Sequence, residues 1–233
     1  MPRKVIKGRT RGFKKKLNKM LSKRQQKGVR AIARQVVRKS AEKKRFGFAE
    51  ENIQLYHNKV LYMDKWLSCK QGIADDDSLS ADRLIRIGDE LYLKNINVRF
   101  WLSNKLDRPN CMYKLFLFWY DSGDTLSDAL CFFTQTNKML DRVNNEQISI
   151  IDQKTIFSGA MYDNGTEKFE HSYLATLNGS WKGKKLTYDE GGSIPKKRNI
   201  GVAVVVYDAF GTLQTDNIAS LAYNGMITVA ENA

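Results

Sequence analysis

The chain has 233 residues, 42% of them hydrophobic, with 39 Lys and Arg against 25 Asp and Glu for a net charge of +14. That length holds one large β domain or two small ones, and no run of 18 apolar residues is present to span a membrane. The start of the sequence has no apolar stretch of the secretory-signal kind, and Cys69, Cys111 and Cys131 show no CxxC spacing.

The charge is unevenly spread. Residues 1–45 carry 19 basic side chains against the single acid Glu42, a net of +18. They are Arg3, Lys4, Lys7, Arg9, Arg11, Lys14, Lys15, Lys16, Lys19, Lys23, Arg24, Lys27, Arg30, Arg34, Arg38, Lys39, Lys43, Lys44 and Arg45. The remainder keeps 20 basic and 24 acidic residues, a net of −4. A basic arm on a slightly acidic body predicts a polyanionic partner held by the arm, through salt-sensitive release of counterions from a nucleic-acid backbone. Phe13 is the only aromatic before Phe46, so base stacking on the arm is not expected.

Within the arm, Leu17, Met20 and Leu21 share one helical face. After Gly28, Val29, Ile32, Ala33, Val36 and Val37 recur at three-and-four spacing. The two stripes are rotated apart, which predicts two short helices kinked at Gly28. Val29, Ile32, Val36 and Val37 are candidate contacts to copies of the same arm; the competing reading is a solvated tail.

Residues 46–85 form a transition. Ile53, Leu55 and Val60 to Met63 predict an extra edge strand, with Trp66-Leu67 pinning it to the body. From Glu90 to Leu102 hydrophobicity alternates, with Leu91 and Leu93 on one face, then slips by one residue so that Ile96, Val98, Phe100 and Leu102 continue that face. One β-bulge near Lys94-Asn95 keeps both halves on the same core. Asn104 to Asn110 turns at Pro109, and Cys111 to Tyr120 is apolar on both faces apart from Lys114, as in a strand covered on both sides. Thr125 to Asn137 predicts a short crossover helix capped by Thr125 and Asp128. Gln147 to Phe157 predicts a strand, then Asn164-Gly165, Asn178-Gly179 and Asn224-Gly225 predict hairpin turns. Lys184 to Tyr188 and Ile200 to Tyr207 are further strands around a loop, and Asn217 to Val229 closes the domain. About eight strands at this spacing suit a sandwich.

No catalytic motif is present. His57 and His171 have no partner at ligand spacing, and no nucleophile elbow, phosphate loop or dinucleotide fingerprint occurs. Asp75-Asp76-Asp77 reads as a surface loop rather than a two-metal site. Gly191-Gly192 before Lys196-Lys197-Arg198 reads as a flexible loop with solvated charge. Cys111 and Cys131 sit among apolar neighbours and are expected to pack as small hydrophobes, which suits a reducing compartment. The expectation is that the chain is not an enzyme.

An arm ending in Lys44-Arg45-Phe46, an Arg86-Ile87-Gly88-Asp89 element opening a long strand that runs to Val98-Arg99, and the strand Phe116-Leu117-Phe118-Trp119-Tyr120-Asp121 together carry a resemblance. In element order, over nearly the whole chain, this resembles the coat protein of satellite tobacco necrosis virus and the related capsid proteins of small circular single-stranded DNA viruses. The resemblance implies an all-β fold, an eight-stranded jelly roll of two packed antiparallel four-stranded sheets over 46–233, with 1–45 a partly helical nucleic-acid-binding arm. It further implies a T=1 icosahedral shell of about 60 copies around a single-stranded genome, with no membrane. The middle is longer than in the satellite virus, which favours the DNA-virus relatives; RNA or DNA stays open. The satellite's calcium ligands do not map cleanly onto this sequence and are not carried over. No cofactor is required; if a metal binds, calcium at a subunit boundary is favoured over a catalytic pair. The implied location is the virion, with Lys14-Lys15-Lys16 a weak signal for the host nucleus. The alternatives are a cellular basic-tailed nucleic-acid-binding protein of ribosomal type and, more distantly, a metal-dependent nuclease using Asp75 to Asp77.

Overall fold

The computed structural model describes residues 22–40, 42–72, 85–105, 107–157, 172–211 and 213–231. Contacts divide the chain into an N-terminal unit ending at Glu42 and a body, Lys43–Glu231. Of the N-terminal unit, Lys23–Ser40 is the helix α1. Ser22 starts it with a reciprocal cap: its Oγ accepts from the Gln25 amide at 3.3 Å, and its own amide donates to Gln25 Oε1 at 2.9 Å. That Ser-x-x-Gln box satisfies two orphan groups of the first turn. The expected kink at Gly28 is absent, for α1 runs through it unbroken. One glycine costs a helix only about 1 kcal/mol, and the flanking Gln, Lys, Arg and Ala residues are good helix formers. Leu17, Met20 and Leu21 lie outside the described residues.

The body is built from β1 (Glu42–Tyr56), β2 (Val60–Met63), β3 (Lys70–Gln71), β4 (Ile85–Arg86), β5 (Glu90–Asn104), β6 (Cys111–Asp121), the helix α2 (Asp128–Cys131), β7 (Ser149–Phe157), β8 (Ser172–Thr187), β9 (Arg198–Asp208) and β10 (Asn217–Glu231). Two antiparallel four-stranded sheets have the orders β1-β10-β5-β8 and β2-β9-β6-β7, with β3 and β4 a small parallel pair apart. Every link between consecutive long strands crosses from one sheet to the other, except β6 to β7. That winding is the double-sheet jelly roll.

β5 shows why the sequence folds this way. Leu91, Leu93, Ile96, Val98, Phe100 and Leu102 are all buried, and the register against β8 shifts between Leu93 and Asn95. The extra residue keeps the apolar face inward across the change of phase. The face-to-face core holds Val98, Phe100, Leu115, Leu117, Val202, Val204 and Leu221 among others; each such side chain contributes roughly 1.5–3 kcal/mol on burial. A second cluster lies on the other side of β6 and β9, where Phe116, Phe118, Tyr120, Ala203 and Val205 meet Cys131, Phe132, Val143 and Ile148 of the crossover. This is the two-sided covering expected of the Cys111 to Tyr120 strand.

Several local expectations change. The edge is not one extra strand but two, β1 and β2, in different sheets. The crossover helix is a single turn, Asp128–Cys131, capped by Ser127, whose hydroxyl accepts from the Leu130 amide; Thr125 plays no such part. Neither described Asn-Gly pair is a turn. Asn178-Gly179 sits inside β8 and Asn224-Gly225 inside β10, so the short strand foreseen from Lys184 is the end of the longer β8. The glycines are there because rings cover them. A Cβ on Gly179 would lie 2.6 Å from Trp181 Cη2, and one on Gly225 would fall inside the Phe48 ring. Asn164-Gly165 lies outside the described residues.

Candidate nucleic-acid interface

On α1, Lys23, Lys27 and Arg30 recur at four and three residues, so they share a face, and Lys23, Arg24, Lys27 and Arg30 are all exposed. About 150° round the helix, Val29, Ile32 and Val36 form the apolar stripe, and all three are exposed at 44%, 64% and 59%. Arg34, Val37, Arg38 and Lys39 lie on the same helix. Arg3, Lys4, Lys7, Arg9, Arg11, Lys14, Lys15, Lys16 and Lys19 fall outside the described residues, as do Asp75, Asp76, Asp77 and His171.

The last three basic residues belong to β1. Lys43 and Arg45 are exposed, whereas Lys44 is turned to Glu231 at the end of β10, Nζ to Oε2 2.5 Å. Glu231 is itself buried and its Oε1 accepts from the Ile87 amide at 3.1 Å. So the root of the basic segment, the end of β10 and the turn entering β5 are held together.

That turn contains Arg86, whose side chain is wholly buried. Its Nη1 donates to the Gly88 carbonyl and to Asp89 Oδ1 (3.0 Å); its Nη2 donates to the carbonyls of Asp189 and Gly192, both at 2.8 Å. Gly88 at φ +80° supplies the left-handed turn that brings its carbonyl round. The Gly191-Gly192 loop is thus a partner of Arg86, and Lys196 of the same loop pairs with Asp189 at 2.7 Å. The Arg86-Ile87-Gly88-Asp89 element is a structural clamp between two loops. Sequence reading could not find the clamp, because two of its acceptors are backbone carbonyls about a hundred residues away.

The outward face of the β1-β10-β5-β8 sheet is the other large feature. Trp101 is 60% exposed and stands between Leu174 of β8 and Ala222 of β10. Arg99, one row along, stands between Thr176 and Asn224. On the neighbouring rows Ser103 shares a hydrogen bond with Ser172 at 2.8 Å, and Asn97 donates to Asn178. Trp119 and Trp181 are inside, edge to face at 5.4 Å, with the Lys184 ammonium 3.8 Å above the Trp119 ring. At the β1 edge, Phe46, Phe48, Trp66 and Tyr223 line a cleft of about 410 Å³.

Cys69, Cys111 and Cys131 are buried, and burial pushes their thiols up to about 11, 12 and 12. They pack as small hydrophobes. Among the described residues no group of three or more His, Cys, Asp or Glu could hold a metal ion, and no helix is long and apolar enough to cross a membrane.

No protein-family model and no curated protein matches the chain. Solved structures resemble it distantly. One of Desmodium yellow mottle tymovirus aligns at 10% identity over 83% of this chain and 89% of that chain, TM-score 0.35. One of turnip yellow mosaic virus aligns at 12% identity over 83% of each, TM-score 0.35. A CocE/NonD family hydrolase from Staphylococcus aureus aligns at 9% identity over 82% of this chain and 37% of that chain, TM-score 0.32.

Proposed function

We propose that this chain is a viral coat protein that assembles about 60 copies into a small T=1 icosahedral shell and packages a single-stranded genome with its basic N-terminal arm. The observation that carries the reading is the segregation of charge: +18 on residues 1–45 and −4 on everything after them, the latter being a jelly roll. A body of that charge repels phosphate, so attraction to nucleic acid falls to the arm. The exposed stripe of Val29, Ile32 and Val36 gives α1 a second task, packing against the same helix of neighbouring subunits. About 60 such arms bring on the order of 1,100 positive charges inside, which counterion release balances against a strand of roughly one to two kilobases. The reading uses no catalytic group and needs no cofactor.

The test is assembly across a salt series. Purified protein and non-viral single strands, mixed at low ionic strength, should sediment as particles of about 1.6 MDa of protein, 60 times the 26.8 kDa chain, with a 260/280 nm absorbance ratio showing enclosed nucleic acid. Toward 1 M salt, where the Debye length is about 3 Å, the cargo should be lost. A 26.8 kDa monomer that binds structured RNA under all these conditions would favour the ribosomal-type alternative. Empty shells forming equally at every salt concentration would remove the arm from the mechanism.

A further inference from the structure

We infer that the outward face of the β1-β10-β5-β8 sheet is a second nucleic-acid surface, on which single-stranded bases stack against Trp101 while Arg99 meets a phosphate. This deepens the packaging reading and rests on it.

The first observation is a compositional void. Residues 95–105, 172–188 and 217–230, which cover two thirds of β5, all of β8 and all but the last residue of β10, contain no Asp or Glu, although residues 46–233 hold 24 acids. The cations Arg99 and Lys182 are exposed on these strands, and the exposed acids of the sheet stand at its margins, Glu50 and Glu51 on the edge strand β1 and Glu90 at the start of β5, where it pairs with Lys185. A phosphate chain can therefore lie along β10, β8 and the later part of β5 without meeting a like charge, unlike on the acidic remainder.

The second observation is what occupies the face instead. Asn97, Asn178, Ser103, Ser172 and Thr176 offer donors and acceptors without charge. Trp101 rises among them with small Ala222 on one side, leaving its indole open to solvent. An exposed aromatic flanked by exposed Leu174, with an arginine one row along on a largely polar face, suits the π-face that every base presents, and so binds without sequence preference. The third is continuity. The chain enters this sheet as β1, one residue after α1 ends, and Lys43 and Arg45 of β1 are exposed.

The two surfaces divide the work physically. The arm supplies salt-dependent attraction; the face supplies stacking, which removal of a tryptophan weakens without altering charge.

The experiment titrates the full-length chain with oligothymidylate of about 12 nucleotides, within the usual footprint of a stacking platform, and reads tryptophan fluorescence and affinity at several salt concentrations. Wild type should bind with quenching. Trp101→Ala should lose most of the quenching and about tenfold in affinity with an unchanged salt slope, whereas Trp101→Phe should keep most of the affinity. Arg99→Gln should lower the salt slope by about one. If Trp101→Ala binds and quenches as wild type does, the face is not a binding surface and the arm reading stands untouched. If Trp101→Ala instead lowers particle yield in light scattering with oligonucleotide affinity unchanged, the face is a subunit contact and the proposal is overturned. If wild type itself fails to bind at low salt, the arm reading falls, and this one with it.

Discussion

The Arg86 guanidinium stacks on the Tyr188 ring with 4.7 Å between its central carbon and the ring centroid, and Tyr188 in turn donates its hydroxyl to the Leu67 carbonyl at 2.9 Å. A fully buried cation in this position joins the turn before β5, the loop after β8 and the segment after β2. Its Nε has no partner among the described residues, so burial of the guanidinium is offset by the four other donations and the ring.

Arg86→Ala strips the part-buried carbonyls of Asp189 and Gly192 of their donor and leaves a cavity where the buried guanidinium stood. We expect a loss of about 3–5 kcal/mol, read as a lowered urea midpoint of the full-length protein. Arg86→Lys keeps the charge but not the planar fork, so it should restore only part of the loss. A midpoint unchanged in Arg86→Ala would show that the loops hold without the clamp.

Gly225→Ala forces a methyl into the Phe48 ring, and overpacking of this kind costs about 1–3 kcal/mol. Phe48→Leu alone should also destabilise. Combined, the two should cost clearly less than the sum, because the smaller side chain vacates the space the methyl needs. Additive losses would mean that the ring does not press on Gly225 in solution.

That same pair explains where sequence reading stops. Asn224-Gly225 carries the local chemistry of a type I′ turn, and only the distant Phe48 shows that the glycine makes room for a ring within a strand. β5 was legible, bulge included, because its pattern depends on one buried face and a period of two. β6 and β9 were legible as continuous apolar runs. The crossover helix was overextended because Thr125 and Ser127 are equally good caps locally, and packing of Cys131 and Phe132 under β6 chose the later one. On the arm, the cations and the Val29, Ile32 and Val36 stripe were plain from spacing, while the Ser22-Gln25 cap went unread. The clamp of Arg86 and the acid-free stretch across β10, β5 and β8 needed the strand order, since no stretch of sequence shows which strands become neighbours.

His57 gives a pH dependence with a definite sign. It is buried between β1 and β2, and its Nδ1 accepts from the Asp208 amide at 3.2 Å, which requires that nitrogen to be unprotonated. Burial holds its pKa below 6.5; Arg108 acts in the same direction, and the carboxylates of Asp208 and Asp216 oppose it. The unfolded chain therefore binds the proton more readily, so this contribution to stability is full above pH 6.5 and is lost as pH falls through that value and below. The urea midpoint should drop from about pH 7.5 to about pH 5.5 more steeply in wild type than in His57→Gln. Parallel curves for the two proteins would assign the acid sensitivity to other groups.

Lys114 is a buried cation of β6 that reaches into the crossover. Its ammonium donates to the carbonyls of Lys138 and Met139 at 3.4 Å and of Asp141 at 2.6 Å, and lies 5.5 Å from the centre of the Phe132 ring. Lys114→Met keeps the bulk and removes the donors, so the loop's carbonyls lose about 1–3 kcal/mol of pairing. Local opening should rise roughly tenfold, seen as faster tryptic cleavage after the exposed Arg142 with the sandwich still folded. Equal cleavage rates would show that Asn58 and Asp128, which hold the Lys138 side chain at 3.0 and 2.8 Å, suffice to fix the loop.

The last prediction separates the two tasks proposed for α1. Val29, Ile32 and Val36 project from the side of the helix away from Lys23, Lys27 and Arg30, and a stripe this narrow cannot be buried by its own helix. Packed against copies of itself, it would leave water only on assembly, where an unpaired carboxylate is costly. Val36→Asp should therefore lower particle yield severalfold. It changes the arm from +18 to +17, so affinity for short single strands at low salt should fall only slightly. Val36→Leu, which keeps the apolar contact, should assemble as wild type does. The measurement is sedimentation yield of particles set beside oligonucleotide affinity for the three proteins. Normal particle yield in Val36→Asp would mean that the stripe makes no subunit contact and that α1 serves the genome alone. A large loss of oligonucleotide affinity without loss of particles would place the apolar stripe against nucleic acid instead of against another subunit.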